Sequence, residues 1–167
     1  CYKVGLFNIG APGQYEAGTC IGLYAALAWH CNWVICLILA ALAGAVVGSI
    51  SGALKAYRNV NEVISGIMLN WIMLYLTNMV LTGKRVKDPA SPYTIKLATG
   101  NKGALIPSAG LNKLFANNTT VTIAIPLAIL FAILIWMILS KTKFGYELRA
   151  TGFNKEAAKY AGMKEKQ

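Results

Sequence analysis

The chain has 167 residues, 56% of them hydrophobic and 13% charged, with a formal net charge of +10. Soluble domains carry about 25% charged residues, and a chain of about 150 residues still leaves roughly 30% of its surface in water. The composition excludes a disordered chain, argues against a soluble enzyme and points to the lipid bilayer.

The first segment, Phe7-Asn8-Ile9-Gly10-Ala11-Pro12-Gly13-Gln14-Tyr15-Glu16, mixes two glycines and a proline with hydrogen-bonding side chains. Such a break is tolerated at membrane depth only where it is buried in protein or lines a watery cavity. The alternative is a surface loop before a short helix. Three charge-free stretches follow, at residues 17–54, 63–83 and 114–140. A spanning helix needs about 20 apolar residues, so the first stretch is nearly long enough for a helical hairpin and the others fit one pass each. Residues 128–136, Ala-Ile-Leu-Phe-Ala-Ile-Leu-Ile-Trp, do not alternate as a membrane strand would. The expected fold is an all-α polytopic membrane protein. It is a helical bundle with about four passes, near 17–30, 33–54, 63–82 and 121–140, one of them broken near Asn8–Gln14.

The second pass carries Gly44, Gly48 and Gly52 at four-residue spacing. Such spacing gives a helix a face that another backbone can approach closely. In the third pass Asn70 is a mid-span amide that needs a partner, either as interhelical glue or as lining of a pathway. Glu62 opens that pass, where a carboxylate complements the positive helix end. Pro126 is expected to kink the fourth pass. His30, the only histidine, lies between Trp29 and Trp33 and reads as an interfacial residue.

Charge gives one orientation only weak support, because the connection 84–120 carries six basic residues of its own. The connection 55–62 carries Lys55 and Arg58 against Glu62, and the tail 141–167 carries seven basic and three acidic residues. Four passes put both on one side, and basic loops favour the cytoplasm. The turn-rich connection 84–120 then lies outside, and its length suits contact with an external partner as well as a passive connector. Because the whole +10 sits in segments that flank hydrophobic spans, it is no sign of nucleic-acid binding.

The catalytic inventory is thin. The four cysteines form no Cys-x-x-Cys pair, Gly83-Lys84-Arg85 lacks the hydroxyl of a phosphate-binding loop, and no Ser-His-acid set is readable. No catalytic or metal-ligating residue is assigned. In the tail, Gly152-Phe153-Asn154 reads as a break. Asn154 suits an N-cap, Glu156 the positive helix start, and Gly162 a C′ position after Ala161. So short a helix needs a surface to lie on, either lipid or a cytoplasmic protein. The chain lacks an initiator Met and reads as a piece of a longer polypeptide.

Three blocks carry a family resemblance. Phe7-Asn8-Ile9-Gly10-Ala11-Pro12-Gly13-Gln14 resembles the Asn-Ile-Gly-x-x-Gly-Gln signature of permease subunits of bacterial ABC importers for branched-chain amino acids, sugars such as ribose, and nucleosides. Residues 54–71, from Leu54-Lys55-Ala56-Tyr57-Arg58 to Leu69-Asn70-Trp71, look like the nucleoside and simple-sugar branch. Residues 144–163, from Phe144-Gly145-Tyr146-Glu147 to Ala161-Gly162-Met163, resemble that family's cytoplasmic coupling segment. The blocks stand in family order over nearly the whole chain. The chain departs from the pattern at Pro12, where the family usually has an acidic residue.

The resemblance implies a multi-pass subunit of the bacterial cytoplasmic membrane, importing a nucleoside or simple sugar. It implies a second permease subunit, cytoplasmic ATPase subunits that use ATP, and an extracytoplasmic substrate-binding lipoprotein. No cofactor is expected on this chain, and ATP hydrolysis is assigned to the partner. Asn8, Gln14 and Asn70 are expected near the substrate pathway. Asn154, Glu156, Ala157, Ala158 and Gly162 are expected to couple to the ATPase. The alternative is a channel or helical membrane scaffold with no ATP coupling. A membrane-embedded enzyme is disfavoured by the residue inventory.

Overall fold

The structure, a computed structural model, describes residues 7–110, 121–154, 160 and 162. The chain divides into two units, Asn8–Leu105 and a second that contains Ile106–Gln167.

The first unit is built on three helices, α1 (Ala11–Ala28), α2 (Trp33–Arg58) and α3 (Glu62–Leu81). α1 is the buried one. Gly13, Ala17, Gly18, Cys20, Ala25, Ala26 and Leu27 are all enclosed, and most are small enough for two neighbouring backbones to close in. α2 and α3 instead expose most of their large apolar side chains, as lipid-facing helices do. Among the described residues three helices are long and apolar enough to cross a membrane: α2, α3 and the later Ala124–Lys141. α1 is not one of them. Its 18 residues span about 27 Å, but Pro12, Gln14, Glu16 and Thr19 keep it short of the apolarity of the other three, and of these Pro12 and Thr19 are exposed. The helix also starts at Ala11 rather than near residue 17, so the break is confined to the residues before it.

The connections explain themselves residue by residue. α1 ends with His30 in the left-handed region, φ 51°, and the Cys31 N–H reaches back to the Ala25 carbonyl at 3.2 Å. The lone histidine thus terminates a helix. α2 ends the same way: Asn59 takes φ 50°, its N–H bonds Lys55 O at 3.1 Å and the Val60 N–H bonds Leu54 O at 3.3 Å. Two residues on, Asn61 caps α3 by accepting from the Val63 N–H at 2.9 Å. Glu62, at the first helical position, pairs with Lys55 at 2.8 Å. This partly exposed pair is worth about 0.5 kcal/mol.

The start of the long connection after α3 folds back on the unit. Lys87 and Thr94 form an antiparallel bridge, and Val86 beside it is fully buried. A single turn of helix, α4 (Leu97–Gly100), follows. Then Asn101 donates through Nδ2 to the carbonyls of Ala26 and Cys31, each at 3.0 Å. It thereby satisfies acceptors that the end of α1 would leave open. Ala25, Ala26 and Cys36 form a small core here, with Leu39, Leu97 and Ala104 packed on it.

The described helices of the second unit are α5 (Ala124–Lys141) and α6 (Lys143–Phe153). Pro126 is the third residue of α5, in the first turn, where its missing N–H has no helical partner to lose. The kink expected in the fourth pass therefore does not arise. Thr142 is the corner: its backbone is extended and its Oγ1 accepts from the Gly145 N–H at 3.2 Å. Gly145 is packed so closely on the end of α5 that an added Cβ would collide with the carbonyl oxygens of Ile138 and Leu139. A Gly145→Ala substitution is expected to force the α5–α6 corner open. Loss of protease resistance at residues 141–146 in the full-length protein would report it, whereas Gly103→Ala, which would meet only a side-chain amide oxygen at 3.3 Å, should leave the pattern unchanged.

Candidate site at the broken start of α1

The break before α1 is held by amides. Asn8 Oδ1 accepts from the Gly10 N–H at 3.0 Å, folding residues 8–10 into a tight turn. Asn70, in the first half of α3, uses both ends of its side chain on the same segment. Its Oδ1 accepts from the Gly13 N–H at 2.8 Å and its Nδ2 donates to the Ile9 carbonyl at 3.0 Å. The first-turn donors of a helix have no partner within the helix. Here Asn70 supplies one, and Pro12, in the first turn, has no N–H to satisfy. The departure at Pro12 is thus accommodated by its place in the helix.

Glycines make the clamp geometrically possible. A Cβ on Gly66 would lie 2.9 Å from Gly10 N, and one on Gly13 would lie 2.8 Å from Asn70 Oδ1 and 3.0 Å from its Cα. On the α2 side, a Cβ on Gly44 would lie 3.2 Å from the Gln14 carbonyl oxygen, and one on Gly48 3.3 Å from Gln14 Nε2. Gly18 completes the row, with Ala40 O 3.0 Å from its Cβ position. Gly52 stands apart: nothing lies within 4 Å of where its Cβ would be. Within this unit the close α1–α2 approach stops at Gly48, because α1 has already begun.

These pairings set the depth of the site. Gln14 lies level with Gly44 and Gly48 of antiparallel α2, and Gly13 lies level with Asn70 of α3. Both partners are far inside helices long and apolar enough to span the membrane. Gly10 itself packs against Gly66, four residues after α3 starts at Glu62, so residues 8–10 lie alongside α2 and α3 and not beyond their ends. Asn8, Gln14 and Asn70 are thus brought to one place, each with an amide on or beside the break. Sequence reasoning gave no packing role to Gly13, Gly18 or Gly66. The spacing Gly66-x-x-x-Asn70 was the available signal, since it puts a small residue one turn before the amide on one helix face.

The coupling positions are only partly visible. Gly152 and Phe153 are helical, so the expected break at Gly152 falls instead at Asn154, which is extended and closes α6. Glu156, Ala157 and Ala158 lie outside the described residues. Gly162 has φ 77°, the left-handed conformation of a C′ glycine.

Apolar helices of spanning length around a helix start held by amides define an all-α polytopic membrane protein. The chain belongs to the family described as branched-chain amino acid transport system / permease component, whose model matches residues 1–167. It is a multi-pass protein of the cytoplasmic membrane. It is 34% identical over 166 residues to the guanosine ABC transporter permease protein NupP of Bacillus subtilis, covering 97% of this chain and 46% of that protein. It is 33% identical to the nucleoside ABC transporter permease protein NupB of Lactococcus lactis (98% of this chain, 46% of that one). It is 31% identical to the glucose ABC transporter permease protein TsgB13 of Haloferax volcanii (96% and 44%). The chain spans about half the length of the relatives it matches. No solved structure matches it significantly.

Proposed function

We propose that this chain is part of the membrane path of an ATP-driven importer whose cargo is a nucleoside. The observation that carries the reading is the match of the permease family to all 167 residues. Two relatives named for guanosine or nucleoside transport support the cargo class, and one named for glucose supports a sugar as the second reading. Both cargoes present hydroxyl groups that amides can bind. Asn8, Gln14 and Asn70 then border the route. Asn70 acts by fixing the shape of the break, since both ends of its amide are engaged.

ATP is used by partner ATPase subunits, a second permease completes the path, and a substrate-binding lipoprotein delivers cargo from outside. Residues 154–162 form the segment on which the ATPase pushes, with Asn154, Glu156, Ala157, Ala158 and Gly162 at the contact. The test is uptake into proteoliposomes holding the full-length protein and its partner subunits. Labelled guanosine should accumulate only with ATP and should be outcompeted by other nucleosides but not by glucose. Accumulation without ATP would favour a channel, and competition by glucose would favour the sugar reading. Ala157→Glu should abolish ATP-driven uptake while leaving membrane insertion intact, read by uptake and by the amount of protein in the membrane fraction.

A further inference from the structure

The corner between α1 and α2 holds two thiols in a fixed relation. Asn32 is the N-cap of α2, and its carbonyl accepts from the Cys36 N–H at 3.0 Å. Cys31 is therefore the residue before the cap and Cys36 the fourth residue of the helix. Side chains at these two positions pack together across a helix start. Here they do so: Cys31 packs on the small core that Ala25, Ala26 and Cys36 form, and the Cys36 thiol donates to the Cys31 carbonyl at 3.7 Å. Both cysteines are free.

The bonds that hold the two sulfurs are weak, and those that hold the backbone are not. Cys31 Sγ donates to the Trp29 carbonyl at 3.9 Å, and Cys36 Sγ makes only its long bond to Cys31. A thiol is a weak donor, so rotation of either side chain gives up little. The Cys31 backbone is held at both ends: its N–H bonds the Ala25 carbonyl at 3.2 Å, and its own carbonyl accepts from Asn101 Nδ2 at 3.0 Å. That carbonyl therefore ties the corner to the connection that follows α3. The corner lies at the end of α2 opposite residues 59–61, on the side that the charge pattern places outside, where disulfides persist. Cys20 does not compete for either sulfur. It is buried in α1, eight residues before that helix ends at Ala28, and is hydrogen-bonded to Thr77 of α3.

We propose that Cys31 and Cys36 are an oxidisable pair on the outer side, closing to a disulfide that locks the α1–α2 corner and the connection anchored on it. The oxidant is a low-molecular-weight disulfide. Cys31, the less enclosed of the two, attacks as the thiolate on one sulfur of the reagent and expels the other as a thiolate, which takes up the proton that Cys31 gave up. Cys36, deprotonated in turn, attacks Cys31 Sγ. The bond to the reagent breaks, and the second reagent thiolate leaves with the Cys36 proton. Two protein thiols are oxidised and one reagent disulfide is reduced to two thiols. The bridge closes only the short loop of residues 31–36, so it acts on the local opening of the corner more than on global stability.

The test treats the full-length protein in right-side-out membrane vesicles with oxidised glutathione, which does not cross the bilayer. Alkylation of the remaining thiols and mass spectrometry of the peptide that carries residues 31–36 read the outcome. Cys31 and Cys36 should lose their free thiols together, and the peptide should lose two hydrogens and gain no glutathione. Cys36→Ser, which keeps a donor for the Cys31 carbonyl, should stop at a glutathione adduct on Cys31, whereas Cys20→Ala should close the bridge as the native protein does. In the oxidised protein, amide hydrogen exchange at residues 31–36 and 101–105 should slow about fivefold or more and recover with dithiothreitol. A glutathione adduct on native Cys31 beside a free Cys36, no reaction at either residue, or reaction only in inverted vesicles would each overturn the outer pair. A bridge that forms and leaves exchange unchanged would overturn the lock.

Discussion

Asn70→Leu is expected to destabilise the unit Asn8–Leu105 by about 2–4 kcal/mol and to abolish transport in the full-length protein. The leucine is close in volume, so the packing loss is small. The cost comes from two backbone groups, the Gly13 N–H and the Ile9 carbonyl, which lose their partners together. Each unpaired buried polar group costs about 1–3 kcal/mol, and both bonds are part-buried, which holds the sum to the lower half of that range. Asn70→Asp separates the two bonds. It keeps an acceptor for Gly13 and sets a second oxygen against the Ile9 carbonyl, so its midpoint should lie below that of the native protein. Thermal unfolding of the purified full-length protein reads all three. A melting temperature unchanged in Asn70→Leu would mean that the clamp contributes nothing.

The second large effect is expected at a residue with no side chain. Gly66→Ala places a methyl group 2.9 Å from Gly10 N, a backbone atom that cannot swing aside. α1 and α3 must then separate near the break, which also lengthens both Asn70 bonds. Overpacking of this kind costs about 1–3 kcal/mol before the hydrogen bonds are counted. Gly52→Ala is the internal control: it meets nothing within 4 Å, and alanine favours the helix by about 1 kcal/mol over glycine. The pair should therefore move the melting temperature in opposite directions. Equal effects would show that the α1–α3 approach is not as close as described.

These two residues also show what a sequence can reveal. The helical class was legible because lipid imposes a crude rule, about 20 apolar residues without charge, which α2, α3 and α5 meet. α1 falls short of the rule because its first half carries Pro12, Gln14, Glu16 and Thr19, while its face of Gly13, Ala17, Gly18 and Cys20 is buried and reports packing, not lipid. Asn70 stood out as an amide in an apolar run, but its partners are 57 and 61 residues away in sequence. No local pattern could choose between glue and lining. The stripe Gly44, Gly48, Gly52 was visible as a repeat, yet the repeat could not say where the partner helix begins, which is why Gly52 falls outside the contact. Pro126 and His30 were read at the right places with incomplete physics. A proline in a first turn does not kink a helix, and a histidine at a helix end can serve through its backbone alone.

The central claim is that α1 begins inside the membrane. The Gln14 backbone lies against Gly44 and its side chain reaches to Gly48, which is ten residues before α2 ends at Arg58, about 15 Å of helical rise. The direct measurement is the depth of a spin label at Asn8→Cys in the full-length protein in vesicles, compared with a label at Arg58→Cys. A label at position 8 lying roughly 10 Å or more deeper than the one at position 58, and still reached by a water-soluble relaxation agent, is the predicted result. Equal depths at the two positions would contradict it and return the segment before α1 to an ordinary surface loop.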